Sequence, residues 1–126
     1  MSAAASAHRV LLVDDRAENL IFVRDYLVSI GYAVATALSG EAALKEVAEW
    51  SPDLVLLDLE MPQMSGLQVL GHLRAMEEHV NLPVVVLSAH PRDEILGDCT
   101  RAGATDVVSK PLRLRALREL LASLGL

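Results

Sequence analysis

The chain has 126 residues, of which 52% are hydrophobic and 22% charged, with a net charge of −6. That length supports one hydrophobic core, the composition excludes intrinsic disorder, and the acidic balance argues against direct nucleic-acid binding. Apolar runs reach only four or five residues, as at 10–13 and 83–87, so no segment is expected to span a membrane. Residues 1–7 carry neither the basic start nor the apolar stretch of an export signal, and the single Cys99 allows no internal disulfide. Both features fit a cytoplasmic protein. The expected organisation is a flexible N-terminal extension over 1–7 and a single domain over 8–126.

The elements alternate along the chain. Residues 9–13 are short, β-branched and apolar, and predict a strand. A helix over 16–30 follows, with Leu20, Val23, Leu27 and Ile30 on one stripe and Gly31 as its stop. Residues 33–37 form a weaker strand. Ser39 is placed to cap a helix running to Trp50, which Ser51-Pro52 closes before a strand at 54–57. A loop over 58–66 leads into a helix over 66–76, in which Leu67, Leu70 and Leu73 recur at helical spacing. Residues 83–87 are the most strand-like run and are expected at the centre of a sheet. A helix over 93–102 ends at Gly103, a strand follows at 106–108, and Leu114, Leu117, Leu121 and Leu124 mark a last amphipathic helix. Cys99 and the four aromatic residues Phe22, Tyr26, Tyr32 and Trp50 read as packing residues.

Strands that read as nearly continuous apolar runs between helices are parallel strands buried on both faces. The fold class is therefore α/β, a three-layer, doubly wound parallel sheet. Asp14, Asp15, Asp58, Ser88 and Lys110 each fall where an apolar run ends. In such a sheet these side chains meet outside the carboxyl ends of the strands, at the switch point near the first and third. Three clustered carboxylates repel one another unless a cation joins them, and hard oxygen ligands suit Mg²⁺. A hydroxyl and an ammonium beside that ion can hold the oxygens of a phosphoryl group. Each residue alone has a plainer role: the acidic pair can cap the first helix, Ser88 the fourth, and Lys110 can be an ordinary surface lysine. None of these explains five matching positions together.

The ordered set Val13-Asp14-Asp15, Leu56-Leu57-Asp58, Met61-Pro62, Gly66, Ser88-Ala89, Gly103-Ala104 and Lys110-Pro111 resembles the receiver domain of two-component response regulators. The resemblance covers residues 9–124 and implies a flavodoxin-like (βα)5 fold with strand order 2-1-3-4-5. It implies that Asp58 accepts a phosphoryl group from a histidine. It also implies that Asp15, Asp58 and the backbone carbonyl of Glu60 bind Mg²⁺, with Asp14 acting through water. Ser88, Ala89 and Lys110 would form the phosphate-binding side, and the Lys110–Pro111 bond would be cis. Beyond its own phosphorylation and dephosphorylation no catalysis is implied. The partners implied are a sensor histidine kinase or histidine phosphotransfer protein, a downstream protein target, and a second copy docked through the fourth helix, fifth strand and fifth helix after phosphorylation.

Two departures stand out. Val107 occupies a position where many receivers carry a Tyr or Phe that rotates on activation, and Leu112 replaces a frequent Phe. The segment from Arg101 onward holds Arg101, Lys110, Arg113, Arg115 and Arg118 against Asp106 and Glu119, most simply a solvated helix surface. With nothing after Leu126, output is expected through docking, or else the chain is one domain of a larger protein. Two other functions compete: a small Mg²⁺-dependent phosphatase with an aspartate nucleophile, and a receiver-shaped interaction module that is never phosphorylated. Phosphatases of the haloacid-dehalogenase type need a second Asp two residues after the nucleophile, where Glu60 stands.

Overall fold

The computed structural model describes residues 7–126, so positions 1–6 of the expected N-terminal extension lie outside the described residues. Strands β1 (Arg9–Val13), β2 (Ala33–Ala37), β3 (Leu54–Asp58), β4 (Val84–Ser88) and β5 (Asp106–Ser109) alternate with five helices. These are α1 (Ala17–Ser29), α2 (Gly40–Trp50), α3 (Gly66–Arg74), α4 (Arg92–Ala102) and α5 (Leu114–Ser123). Every neighbouring pair of strands is parallel, in the expected order β2-β1-β3-β4-β5. The 83–87 run is an interior strand, β4, paired with β3 on one side and β5 on the other. All five residues of β3 are buried, whereas Leu87 of β4 is only half-buried.

The period-2 alternation of each strand builds the three layers. Val10, Leu12, Leu54, Leu56 and Val85 join Leu20 and Leu27 of α1 and Leu117, Leu120 and Leu121 of α5. On the other face Leu11, Val13, Val55, Leu57, Val84 and Val86 join Val47 of α2, Val69, Leu70 and Leu73 of α3, and Cys99 of α4. Each such side chain, taken fully out of water, contributes about 1.5–3 kcal/mol. The sheet is accordingly a stiff platform for the loops at its carboxyl edge.

Local chemistry sets the helix boundaries. Ser39 caps α2 by accepting the Ala42 N–H at 3.1 Å, as expected. A capping box starts α3: the Ser65 hydroxyl accepts the Gln68 N–H and the Gln68 side chain accepts the Ser65 N–H. At the end of α4, Gly103 takes a φ of 109°, a left-handed conformation that favours glycine.

Three expectations change. Ile30 lies beyond the end of α1 and is exposed, since the chain turns at Gly31 with φ 102°. Phe22 is 63% exposed rather than packed, because Leu20, Val23 and Leu27 set the inward face of α1 and Phe22 falls outside it. The third helix stops at Arg74, and a 3₁₀ turn at Glu77–His79 follows an extended Met76. Among the described residues no helix is long and apolar enough to cross a membrane.

Candidate functional site

The carboxyl edge of the sheet gathers all five strand-end residues. Asp14 and Asp15 stand just past β1, Asp58 and Ser88 end β3 and β4, and Lys110 follows Ser109 of β5. Because β1 lies between β2 and β3, the chain leaves it in opposite directions, and the crevice at that reversal holds the cluster. Asp14, Asp58 and Ser88 are the buried polar residues at this edge, with exposures of 5%, 2% and 0%. Asp15 is exposed. Carboxylate oxygens of Asp14, Asp15 and Asp58 all lie within 4.8 Å of one another.

Lys110 is the cation of this group. Its Nζ lies 2.6 Å from Asp58 Oδ1 and 3.9 Å from Asp14 Oδ2. Apart from Lys110, no donor among the described residues reaches this buried oxygen. Burial raises the Asp58 pKa and the charges of Asp14 and Glu60 raise it further, so that Lys110 only partly offsets them. The Lys110 pKa is also raised: burial opposes its charge, but Asp58, Asp14 and Glu60 outweigh burial. One ammonium thus faces several carboxylates. A hard, oxygen-only donor set of this kind fits a divalent ion.

Asp14 also shapes its own turn. Its Oδ1 accepts the Arg16 N–H at 3.0 Å and its Oδ2 accepts from Asn19 Nδ2 at 3.2 Å. The plainer role of the acidic pair, capping the first helix, is not taken up, since Arg16 is the N-cap of α1 and makes no side-chain cap bond.

The structure brings together one contact that sequence reasoning missed. Glu60 was assigned only through its backbone carbonyl, yet its carboxylate reaches the β4–α4 loop. Ser88 Oγ donates to Glu60 Oε2 at 2.7 Å, the Ala89 N–H donates to Oε1 at 3.3 Å, and His90 Nδ1 lies 3.3 Å from Oε2. Burial raises the Glu60 pKa, but the hydrogen bonds from Ser88, Ala89 and His90 win, and the net shift is downward. No local spacing signals a contact between residues 28 positions apart on two different loops. Ser88 does not cap α4, whose N-cap is Pro91, but its Oγ accepts the His90 N–H at 3.0 Å.

The remaining parts frame the site. The Lys110–Pro111 bond is cis. Val107 is buried at 1% exposure, and Leu112 is half-buried. Gly66 lies against the β3 end: a Cβ there would sit 2.7 Å from the Asp58 carbonyl oxygen and 2.9 Å from Leu59 Cα. Beside the cluster opens a groove of about 390 Å³, lined in part by Asp14, Leu20, Phe22, Val23, Lys110 and Leu112. Of the basic residues noted after position 100, Lys110 pairs with Asp58 and Arg101 with Asp98, while Arg113, Arg115 and Arg118 are exposed.

Residues 10–122 match the sequence profile of the response regulator receiver domain. The chain belongs to this family. It is 43% identical over 115 residues to the transcriptional regulatory protein KdpE of Mycobacterium tuberculosis, covering 91% of this chain and 48% of that protein. It is 34% identical over 114 residues to the chemotaxis protein CheY of Bacillus subtilis, covering 90% and 93%. The crystal structure of Vibrio cholerae CheY4 superposes with a TM-score of 0.88 at 27% identity, over 94% of this chain and 99% of that one. The chain thus spans about half the length of the transcriptional regulators it matches and nearly all of the chemotaxis proteins. The flavodoxin-like (βα)5 expectation is borne out by this fold.

Proposed function

We propose that this receiver domain is a phosphorylation switch or relay module in which Asp58 takes a phosphoryl group from a phosphohistidine. The observation that carries the reading is Asp58 itself, buried at a strand end with two further carboxylates and one ammonium around it. As the Asp58 oxygen bonds to phosphorus the P–N bond breaks, and the imidazole keeps the bonding pair. Mg²⁺, held by Asp15, Asp58 and the Glu60 carbonyl with Asp14 through water, would offset the charge of two anions brought together. Lys110 holds the Asp58 carboxylate now and would bind the phosphoryl oxygens afterwards, and Ser88 with the Ala89 N–H would supply the other donors.

The donor protein is proposed to be a sensor histidine kinase or a histidine phosphotransfer protein. Output would go to a downstream protein target, or to a second copy through the face of α4, β5 and α5. Nucleic acid and membrane are not proposed as direct partners, and the setting is proposed to be the cytoplasm. Incubation with acetyl phosphate and Mg²⁺, followed by intact mass, tests the reading. One phosphoryl increment on the wild type and none on Asp58→Asn supports it. Turnover of phosphate esters would instead favour the phosphatase, and an unmodified chain the unphosphorylated interaction module. A label that persists at Asp14, Asp15 or a serine in Asp58→Asn overturns the assignment of Asp58.

A further inference from the structure

The Glu60 carboxylate occupies the donors that an incoming phosphoryl group needs. Ser88 has one hydroxyl proton, and it is given to Glu60 Oε2 at 2.7 Å. Ala89 has one backbone proton, and it is given to Oε1 at 3.3 Å. A carboxylate presenting two oxygens to a hydroxyl and an amide resembles one edge of a phosphoryl group. We infer that Glu60 is an internal stand-in for the phosphoryl group, holding the unphosphorylated arrangement of the β4–α4 loop until it is displaced. The inference rests on the proposed role of Ser88 and Ala89 as phosphoryl ligands.

Three features make this contact more than a loop tie. Glu60 stands two residues after Asp58, at the start of the loop that leaves β3, so occupant and phosphorylation site cannot separate independently. The two anions cannot share one hydroxyl proton, and each raises the cost of the other's charge, so arrival of the phosphoryl group expels the carboxylate. Expulsion has an open route, because the Glu60 side chain is 40% exposed and can turn into water. The same carboxylate also holds His90, whose carbonyl accepts from Ser109 Oγ at 3.3 Å across the top of β5. Losing Glu60 therefore frees Ser88 for the phosphoryl oxygens and loosens the start of α4 in one event. Glu60 acts here as a positioning residue, setting how readily the chain switches.

Beryllofluoride, a phosphoryl mimic, titrated at saturating Mg²⁺ into the wild type, Glu60→Gln and Glu60→Ala, tests this by fluorescence or NMR. Both variants keep the backbone carbonyl, the side chain is 40% exposed, and a thermal melt checks that each variant is folded. Glu60→Ala, which removes the acceptor, is expected to bind about tenfold more tightly, the scale of one charge-assisted hydrogen bond no longer in competition, and Glu60→Gln, whose amide oxygen is a weaker, uncharged acceptor, more tightly than the wild type by a smaller factor. Without ligand, their Ala89 and His90 amide signals should already be displaced toward the ligand-bound wild-type positions. A purely structural tie predicts equal or weaker binding in both variants, and that result overturns the inference alone. A wild type that takes up no beryllofluoride overturns the functional reading and the inference with it.

Discussion

Replacing Lys110 by methionine, which keeps the length of the stem and removes the charge, should unbalance the acidic cluster. At an effective dielectric of ~20, the ammonium attracts Asp58 across 2.6 Å by about 6 kcal/mol and Asp14 across 3.9 Å by about 4 kcal/mol. Most of this is offset, because an ammonium taken from water costs several kcal/mol. Losing one partner of a fully buried pair costs about 3–5 kcal/mol, and here the Lys110 side chain is 29% exposed and partly screened. The expected loss is about 2–3 kcal/mol near pH 8. For a domain of this size that lowers Tm by roughly 8–12 °C. The pH dependence has a definite sign. The Asp58 pKa is raised in the folded protein, by burial first and by Asp14 and Glu60 next, so the native state holds its proton more tightly than the unfolded chain does. Stability from this group therefore falls as pH rises through the folded pKa, and removing Lys110 extends the window upward. Thermal melts followed by circular dichroism should show a deficit that is largest near pH 8 and shrinks as the pH is lowered and Asp58 protonates. A deficit below about 0.5 kcal/mol, or one that does not shrink as the pH is lowered, would refute the reasoning.

Millimolar Mg²⁺ should raise the wild-type Tm by relieving repulsion among Asp14, Asp15 and Asp58, and Asp15→Ala should remove most of the rise; an unchanged response in that variant would place the ion elsewhere. Gly66→Ala drives a Cβ to 2.7 Å from the Asp58 carbonyl oxygen, which is backbone and cannot move aside cheaply, so a loss of about 1–3 kcal/mol is expected together with slower phosphorylation. Wild-type stability and rate in Gly66→Ala would count against the close approach. NMR with beryllofluoride should move the signals of Ser88 and the loop over 90–93. Val107 is buried and β-branched and has no ring to swing. Changes confined to the loop over 58–66 would point instead to a carrier that passes its phosphoryl group on with little rearrangement.

Much of the fold was legible in the chain because it depends on short-range rules. Apolar runs between helical stripes gave the strand and helix order, and Ser39, Gly31 and Gly103 marked helix ends through capping and left-handed geometry that any host fold would ask of them. Asp14, Asp15, Asp58, Ser88 and Lys110 fall at one edge by the strand pattern alone, since parallel strands all deliver their carboxyl ends to the same side.

What tertiary structure alone decided are relations between distant loops and between faces of the sheet. Phe22 reads as a packing residue by type, but the direction of its helix turned it outward. The plainest case is Glu60. Its distance from Asp58 along the chain was visible, but its hydrogen bonds to Ser88 and Ala89 exist only because β3 and β4 are hydrogen-bonded neighbours whose ends lie side by side. Local sequence determines which elements form and where they stop. Which carboxylate answers which hydroxyl depends on how those elements are stacked, and nearest-neighbour chemistry carries no record of that.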